Sequence, residues 1–199
     1  LTLDSNAQFL CRRASELGWR VRTIRTVCDS LQEIQNTIKS EATRNDALLL
    51  TGGLGPTEDD RTRFAIAAVL GETLSERPDL IEQIEARFRH HHWPMRAINR
   101  VQAMLPTSAT GIPNPHGTAP GIRVNVGTCE VFAMPGVPRE MRAMFDDTVA
   151  PHLSVSPDLD RQYIRQLHLF GIGESTVGET IQDLMRESTN PQIGTAVQH

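Results

Sequence analysis

An unbroken apolar run that passes directly into a glycine-rich loop constrains the fold of this chain most strongly. Ala47 to Leu50 form the run, and Thr51-Gly52-Gly53-Leu54-Gly55 form the loop. A short apolar run that is closed by glycines and followed by helical periodicity predicts a buried parallel strand, a loop and a helix. Ligands of α/β proteins bind where such strands end. We therefore expect a ligand site at the carboxyl end of this strand.

The glycine loop suits an anion, although carboxylates follow it. Gly52, Gly53 and Gly55 let backbone N–H groups approach a phosphate, and the next helix is predicted to begin at Asp59 or Asp60. The loop has neither the lysine of a P-loop nor the third glycine of a dinucleotide fingerprint. A divalent cation such as Mg²⁺ would offset the repulsion between carboxylates and phosphate. Helix capping explains the same acidic residues, so a ligand site and a structural turn both remain open.

Composition and charge exclude several classes of protein. The net charge of −4 argues against a general nucleic-acid-binding protein. The apolar runs are too short to cross a membrane, and the first residues do not resemble a signal peptide. The three widely spaced cysteines favour neither a disulfide framework nor a zinc site. We therefore expect a cytoplasmic protein with neither nucleic acid nor membrane as its partner.

A β-α-β pattern precedes the glycine loop. Trp19 to Val27 alternates partially and is predicted to form a strand, and Ser30 to Glu33 is a capping-box pattern that opens a helix. With the apolar run described above, this order predicts an α/β domain. Asp29 stands at the carboxyl end of the first strand, where it either caps the helix or contacts a ligand.

Two further segments are predicted to reach the same edge of the sheet. The segment 113–121 is too rich in glycine and proline for a helix or a central strand, and is either a ligand-contacting loop or a surface connection. Residues 122–134 predict a β-hairpin, followed by a helix with Met141 and Met144 in the core. Glu140 lies in the first turn of that helix, so a third carboxylate is expected near the site.

The last part of the chain has its own short pattern. Ser154 to Asp158 is typical of a linker. A strand over 163–170, a helix over 174–185 and a strand from Ile193 are predicted after it. Such a segment is too small to build a full core. We expect one domain over residues 1–154 and the start of a small α+β second domain over 155–199.

Four segments resemble one family in the right order along the chain. Asp4 to Asn6, Thr51 to Asp60, Gly117 to Gly121 and Pro135 to Met141 resemble the N-terminal domain of the competence/damage-inducible CinA proteins. That domain belongs to the molybdopterin-binding superfamily of MoaB and MogA. Gly171 to Ser175 is similar to the start of the middle domain of CinA. The resemblance implies a three-layer α/β/α domain with a mostly parallel sheet.

The resemblance also implies an activity, which is metal-dependent hydrolysis of ADP-ribose or a similar dinucleotide. Asp59 and Asp60 would be catalytic, and Asp60 and Glu140 would hold Mg²⁺, Mn²⁺ or Co²⁺. Ligand contacts are expected at the strand ends and loops described above, namely Asp29, Thr51, Gly52, Gly53, Gly55, Asn114, Gly117, Thr118, Ala119, Gly121, Pro135 and Gly136.

Two alternatives to catalysis remain. The pocket would bind a pterin or a nucleotide without turnover, or the domain would be a scaffold for another domain. CinA-like domains open with a strand that carries a Gly-Asp-Glu-Leu-type motif, and this chain starts after it at Leu3-Asp4. We therefore expect one acidic site residue to be missing or replaced, and exposed apolar surface there to favour a homo-oligomer.

Overall fold

The computed structural model of the chain describes residues 4–154, 165, 167–187 and 190–195. Contacts divide the chain into two units, Leu1–Gln162 and Tyr163–His199. In chain order the regular elements of the first unit are α1 Ser5–Glu16, α2 Leu31–Ala42, β1 Ala47–Thr51, α3 Thr62–Leu70, β2 Leu74–Glu76, α4 Pro78–His90, a 3₁₀ helix Ala97–Ala103, β3 Met104–Pro106, β4 Thr110–Ile112, β5 Gly121–Val126, β6 Cys129–Met134, α5 Pro138–Met144, a π-helical turn Phe145–Val149 and α6 Ala150–Leu153.

The main sheet has the order β1-β6-β5-β4 and is mixed. β1 runs parallel to β6, whereas β5 is antiparallel to both β6 and β4. Gly127, with φ of 62°, and Thr128 join β5 to β6, and a two-residue turn can join only antiparallel strands. The α/β class and the hairpin are therefore confirmed, while the described sheet is mixed rather than mostly parallel.

Helices cover both faces of this sheet. Side chains alternate along β1, so that Leu48 and Leu50 pack into one hydrophobic cluster and Ala47 and Leu49 into the other. The first cluster contains residues of α2, α3 and α4, and the second contains residues of α1, α5 and α6. The predicted three-layer arrangement is confirmed, and it places the carboxyl end of β1 between the layers.

The strand predicted over residues 19–27 does not form. These residues carry no regular secondary structure and do not pair with the described edge of β1, whose one described strand partner is β6. They border a cleft of about 400 Å³ along the free edge of β1 instead. Leu10 of α1 and Ile38 of α2 also line this cleft.

α3 begins later than the sequence predicts. Its first residue is Thr62, not Asp59 or Asp60. The reason is that residues 57–60 close a turn of their own, in which the Asp60 carboxylate accepts from the Thr57 N–H at 2.9 Å. The predicted helix after β6 is confirmed, and Met141 and Met144 are fully buried in it.

The described residues of the second unit form two short helices, α7 Glu174–Thr180 and α8 Gln182–Glu187, where one continuous helix was predicted over 174–185. Residues 165, 167–170 and 193–195 have no regular structure, and the remainder of both predicted strands lies outside the described residues. The predicted linker also lies outside them from residue 155 onward.

Within the described part of the chain, every helix is too short or too polar to cross a membrane.

Candidate functional site

The glycine loop between β1 and α3 turns its carbonyl groups toward the protein. All four carbonyls of residues 52–55 accept hydrogen bonds from the first two residues of α3. Thr62 donates to the first two carbonyls, through its hydroxyl at 2.8 Å and its N–H at 3.1 Å. Arg63 donates to the last two through Nη2. The start of the helix therefore fixes the conformation of the loop.

The opposite side of the loop presents N–H groups. The Gly52 N–H donates to the Met134 carbonyl at 2.9 Å, but the N–H groups of residues 53–55 have no acceptor among the described residues. Gly53 has φ of 68°, and a Cβ there would overlap the Thr62 hydroxyl, so the loop requires glycine at this position. Three consecutive free N–H groups form a site suited to an anion.

Two carboxylates converge on one hydroxyl in the turn that follows. Thr57 Oγ1 lies 2.5 Å from Asp59 Oδ1 and 2.6 Å from Asp60 Oδ2, and its single hydrogen can be donated to only one of them at a time. The hydrogen bond from Thr57 is the main cause that lowers the pKa of Asp59, followed by the Asp59 backbone. Asp59 is therefore ionised at neutral pH.

The donor chemistry of this turn fits a metal that is shared with a ligand. Among the described residues, no group of three or more His, Cys, Asp or Glu side chains is placed to hold a metal ion. Asp59 and Asp60 nevertheless offer hard oxygen donors, and Mg²⁺ commonly takes one or two carboxylates together with substrate phosphates. These residues suit a metal that arrives with a phosphate better than a preformed protein cage.

The loop after β6 lies beside the glycine loop. A Cβ added at Gly136 would lie 3.5 Å from the Cα of Gly52, so the two backbones pass close to each other. The Gly136 carbonyl accepts from Asn6 Nδ2 at 2.8 Å, which connects the loop to the first turn of α1. Pro135 is buried beneath it.

Asn114 connects the Gly/Pro-rich loop to α5. Its Nδ2 donates to Glu140 Oε2 at 2.7 Å and to the Ala119 carbonyl at 2.9 Å. Its Oδ1 accepts from the N–H groups of His116 at 3.0 Å and Gly117 at 2.9 Å. A Cβ at Gly117 would overlap the Glu140 carboxylate, so glycine is needed for this close approach.

The remaining sequence candidates occupy different environments. Asp29 borders the cleft together with Thr51, and it does not cap α2, because Ser30 supplies the N-cap. Thr118 accepts a hydrogen bond from Gln102 at 3.2 Å. Gly121 begins β5 inside the sheet, where a Cβ would lie 2.6 Å from the Ala133 carbonyl, so this glycine serves core packing rather than an exposed site.

Sequence reasoning missed the residues whose hydrogen bonds hold the loops and the acidic turn of the site, namely Asn6, Thr57, Thr62, Arg63 and Gln102. One signal for Arg63 was present. Together with Ile66, Ala67 and Leu70 it follows the i, i+3, i+4, i+7 spacing of the apolar face of α3. An arginine on such a face must be buried with its own acceptors.

Comparisons with known proteins agree with this fold and with its division into two units. Residues 1–155 match the family described as "Probable molybdopterin binding domain", and residues 164–199 match "Damage-inducible protein CinA KH domain". A crystal structure of the protein CinA, of unknown function, from Thermoplasma acidophilum has a TM-score of 0.69 and 32% identity, and covers 75% of this chain and 88% of that one. A molybdopterin biosynthesis protein from Mycobacterium abscessus, with a TM-score of 0.50, 18% identity and coverage of 77% and 82%, supports the fold alone.

Curated relatives match nearly the whole chain. A putative competence-damage inducible protein from Halothermothrix orenii is 39% identical, over 96% of this chain and 46% of the relative. A CinA-like protein from Deinococcus deserti is 41% identical, over 97% of this chain and 48% of the relative. The chain therefore spans about half the length of these relatives.

The layered α/β fold and the glycine-loop site define a domain of the molybdopterin-binding class. The chain belongs to the CinA-like, competence/damage-inducible branch of that family.

Proposed function

We propose that the first unit binds a phosphate-bearing nucleotide at the glycine loop and hydrolyses its diphosphate with a divalent metal, with ADP-ribose or a similar dinucleotide as substrate. One observation carries the proposal. The three free N–H groups of residues 53–55 lie in a loop whose carbonyls are all turned away, directly before a turn that holds two carboxylates.

The charges of the site explain why a metal belongs to the proposal. A carboxylate and a phosphate oxygen about 4 Å apart repel each other by about 4 kcal/mol at an effective dielectric of 20. The dipole at the start of a helix contributes only about 0.3–1 kcal/mol of attraction. The glycine loop alone therefore cannot offset Asp59 and Asp60 beside a diphosphate. A bound divalent metal would neutralise this charge and polarise the phosphoryl oxygens.

Each group of the site has a role in the proposed reaction. The loop N–H groups hold one phosphate, and Asp59 and Asp60 hold the metal. Asp59, whose pKa is lowered, is a weak base and suits metal binding better than proton abstraction. Glu140, fixed by Asn114, closes the far side of the site together with Gly136. The oxygen of water attacks one phosphorus, the bridging P–O bond breaks, and AMP and ribose 5-phosphate are the products.

The experiment is product analysis of ADP-ribose incubated with this chain and Mg²⁺, Mn²⁺ or Co²⁺, with AMP measured by chromatography. Asp60→Asn is expected to abolish AMP release and to retain nucleotide binding. Asp79→Asn, at an exposed carboxylate paired with Arg77, is the matched control and is expected to keep full activity. Unchanged turnover in Asp60→Asn would overturn the assigned roles.

A binding module is the second candidate function, because the family that residues 1–155 match is described by what it binds. In that case the loop holds the phosphate of a pterin or a nucleotide, in line with the family description, and no turnover occurs. Metal-independent binding of ADP-ribose and AMP with equal affinity, without product, would select this function over hydrolysis.

A further inference from the structure

A buried arginine links the glycine loop to a segment about forty residues further along the chain. The Arg63 side chain is fully buried, and its four acceptors are all backbone carbonyls. Nη2 donates to the carbonyls of residues 54 and 55, and Nη1 to those of Val101 at 2.7 Å and Met104 at 3.4 Å. Burial lowers the pKa of Arg63 to about 10, so the guanidinium stays charged at neutral pH.

The same segment is bound to the second loop of the site. Gln102, between the two carbonyls that accept from Arg63, is 2% exposed and donates through Nε2 to Thr118 Oγ1 at 3.2 Å. Thr118 lies in the loop that Asn114 connects to Glu140. Residues 101–104 therefore contact the glycine loop through Arg63 and the second loop through Gln102.

Because peptide groups are planar, the contacts that hold the loop carbonyls also fix the directions of the loop N–H groups. The carbonyl of one residue and the N–H of the next share a plane and point in opposite directions. The carbonyls of residues 52 and 53, which Thr62 holds, orient the N–H groups of residues 53 and 54. The carbonyl of Leu54, which Arg63 holds, orients the N–H of Gly55. Arg63 thus sets the direction of the last donor of the proposed phosphate site.

A contribution to the stability of the fold does not by itself explain why Arg63 and Gln102 occupy these buried positions. Arg63 Nε and Gln102 Oε1 are buried without a hydrogen-bond partner among the described residues. A buried polar atom without a partner lowers the free energy of unfolding, and an apolar side chain at either position would avoid that cost. The contacts that both side chains do make go to the two loops of the site and to the segment between them.

We propose that Arg63 and Gln102 are positioning residues that hold the glycine loop and the Thr118 loop at a fixed separation, so that a ligand with two phosphates contacts both loops at once. The ligand part of this inference rests on the proposed function. The fixed separation of the loops is a property of the protein alone, and it is tested separately.

Gln102→Leu is the sharpest variant. It removes the bond to Thr118 together with the unpartnered Oε1 at nearly constant volume, so the melting temperature should stay unchanged or rise. In the ligand-free protein, amide hydrogen exchange of residues 116–119 should accelerate about fivefold to tenfold, the range that loss of one hydrogen bond gives. Unchanged exchange at the Gly117 amide would overturn the inference, whatever the protein binds.

Ligand binding then separates the two proposals. Measured by calorimetry, the affinity of Gln102→Leu for ADP-ribose should be about fivefold to tenfold lower than that of the wild type. Its affinity for inorganic phosphate should change by no more than about twofold. Thr118→Val should cause the same loss, and the double variant no further loss, as expected of a directly coupled pair. An equal loss of affinity for ADP-ribose and for inorganic phosphate in Gln102→Leu would contradict the inference. If the wild-type protein binds neither ligand, the proposed function fails, and the exchange data still decide the positioning role.

Arg63→Lys tests the role of Arg63 independently of Gln102. Lysine keeps the charge but lacks the fork that reaches both sets of carbonyls. The amide resonances of residues 53–55 should shift, and phosphate affinity should fall at least about tenfold. Arg123→Lys, at an arginine paired with Glu130 on the β-hairpin, is the matched control and should do neither. Unaltered resonances in folded Arg63→Lys protein would remove Arg63 from the proposal.

Discussion

The side chain of Asn114 donates to Glu140 at 2.7 Å, and its oxygen accepts the backbone N–H of Gly117 at 2.9 Å. One amide thereby joins a carboxylate of α5 to a loop that precedes it in sequence by more than twenty residues. The contact uses both ends of the amide, so no other common side chain of this size can replace it.

Asn114→Asp should therefore destabilise the first unit in a pH-dependent manner. The new carboxylate cannot donate to Glu140, and the two groups repel each other in the folded state when both are ionised. This repulsion grows as the pH rises and both groups lose their protons, so the stability of the variant should fall as the pH rises. We expect a loss of about 1–3 kcal/mol at pH 7 and a smaller loss near pH 4.5. Thermal melts at both pH values test this, with Asn36→Asp on the exposed face of α2 as control.

Thr57→Val should raise the pKa of Asp59. The Thr57 hydroxyl is the largest cause of the lowered value, and valine keeps the shape without the hydroxyl. A lowered folded pKa contributes stability above the unfolded pKa that is lost as the pH falls through the folded value, so this contribution should shrink in the variant. A carboxyl-carbon NMR titration measures the change.

The same titration contains an internal control for Thr57→Val. The pKa of Glu72 is lowered mainly by the N–H of Ser108, far from Thr57 in sequence, and should stay the same. A common shift of Asp59 and Glu72 would indicate a global effect and contradict the assignment to Thr57.

Gly117→Ala should disturb the site by steric overlap. The new Cβ would meet the Glu140 carboxylate, and overpacking of this kind costs about 1–3 kcal/mol. Chemical denaturation measures the loss, and ligand binding should weaken with it. Gly178→Ala is the matched control, because nothing lies within 4 Å of a Cβ at that helical position. Equal stability of Gly117→Ala and wild type would show that Glu140 moves aside freely.

Local sequence patterns predicted much of the fold. The capping box at Ser30 and the hairpin pattern over residues 122–134 each act within a few residues, and each element is found where they placed it. Long-range contacts explain the differences. Residues 19–27 alternate partially, as a strand does, but lie across a cleft from β1 and do not pair with it, and Asp60 bonds back to Thr57, which delays the start of α3.

The residues of the candidate site also fall into those that the sequence predicts and those that depend on long-range contacts. The rule that ligands bind at strand ends pointed to Gly52, Gly53 and Glu140, the family resemblance added Gly136, and the structure brings Gly52 and Gly136 side by side. The rule has no means of finding Arg63 or Gln102, because their partners lie in loops that only the folded chain brings together. Gly121 belongs to the same motif as Gly117 but serves packing, since β5 begins at Gly121.

The cysteines should differ in reactivity. Burial raises the pKa of Cys129 to about 11, with further contributions from Asp46 and Glu130, so its thiolate is scarce at neutral pH. Cys28 is exposed and precedes α2. Because the thiolate is the reactive form, iodoacetamide at pH 7.5 should modify Cys28 first and reach Cys129 only after unfolding. Peptide mass spectrometry of timed samples follows both sites, and labelling of Cys129 in the folded protein at the rate of Cys28 would show that β6 opens at its start.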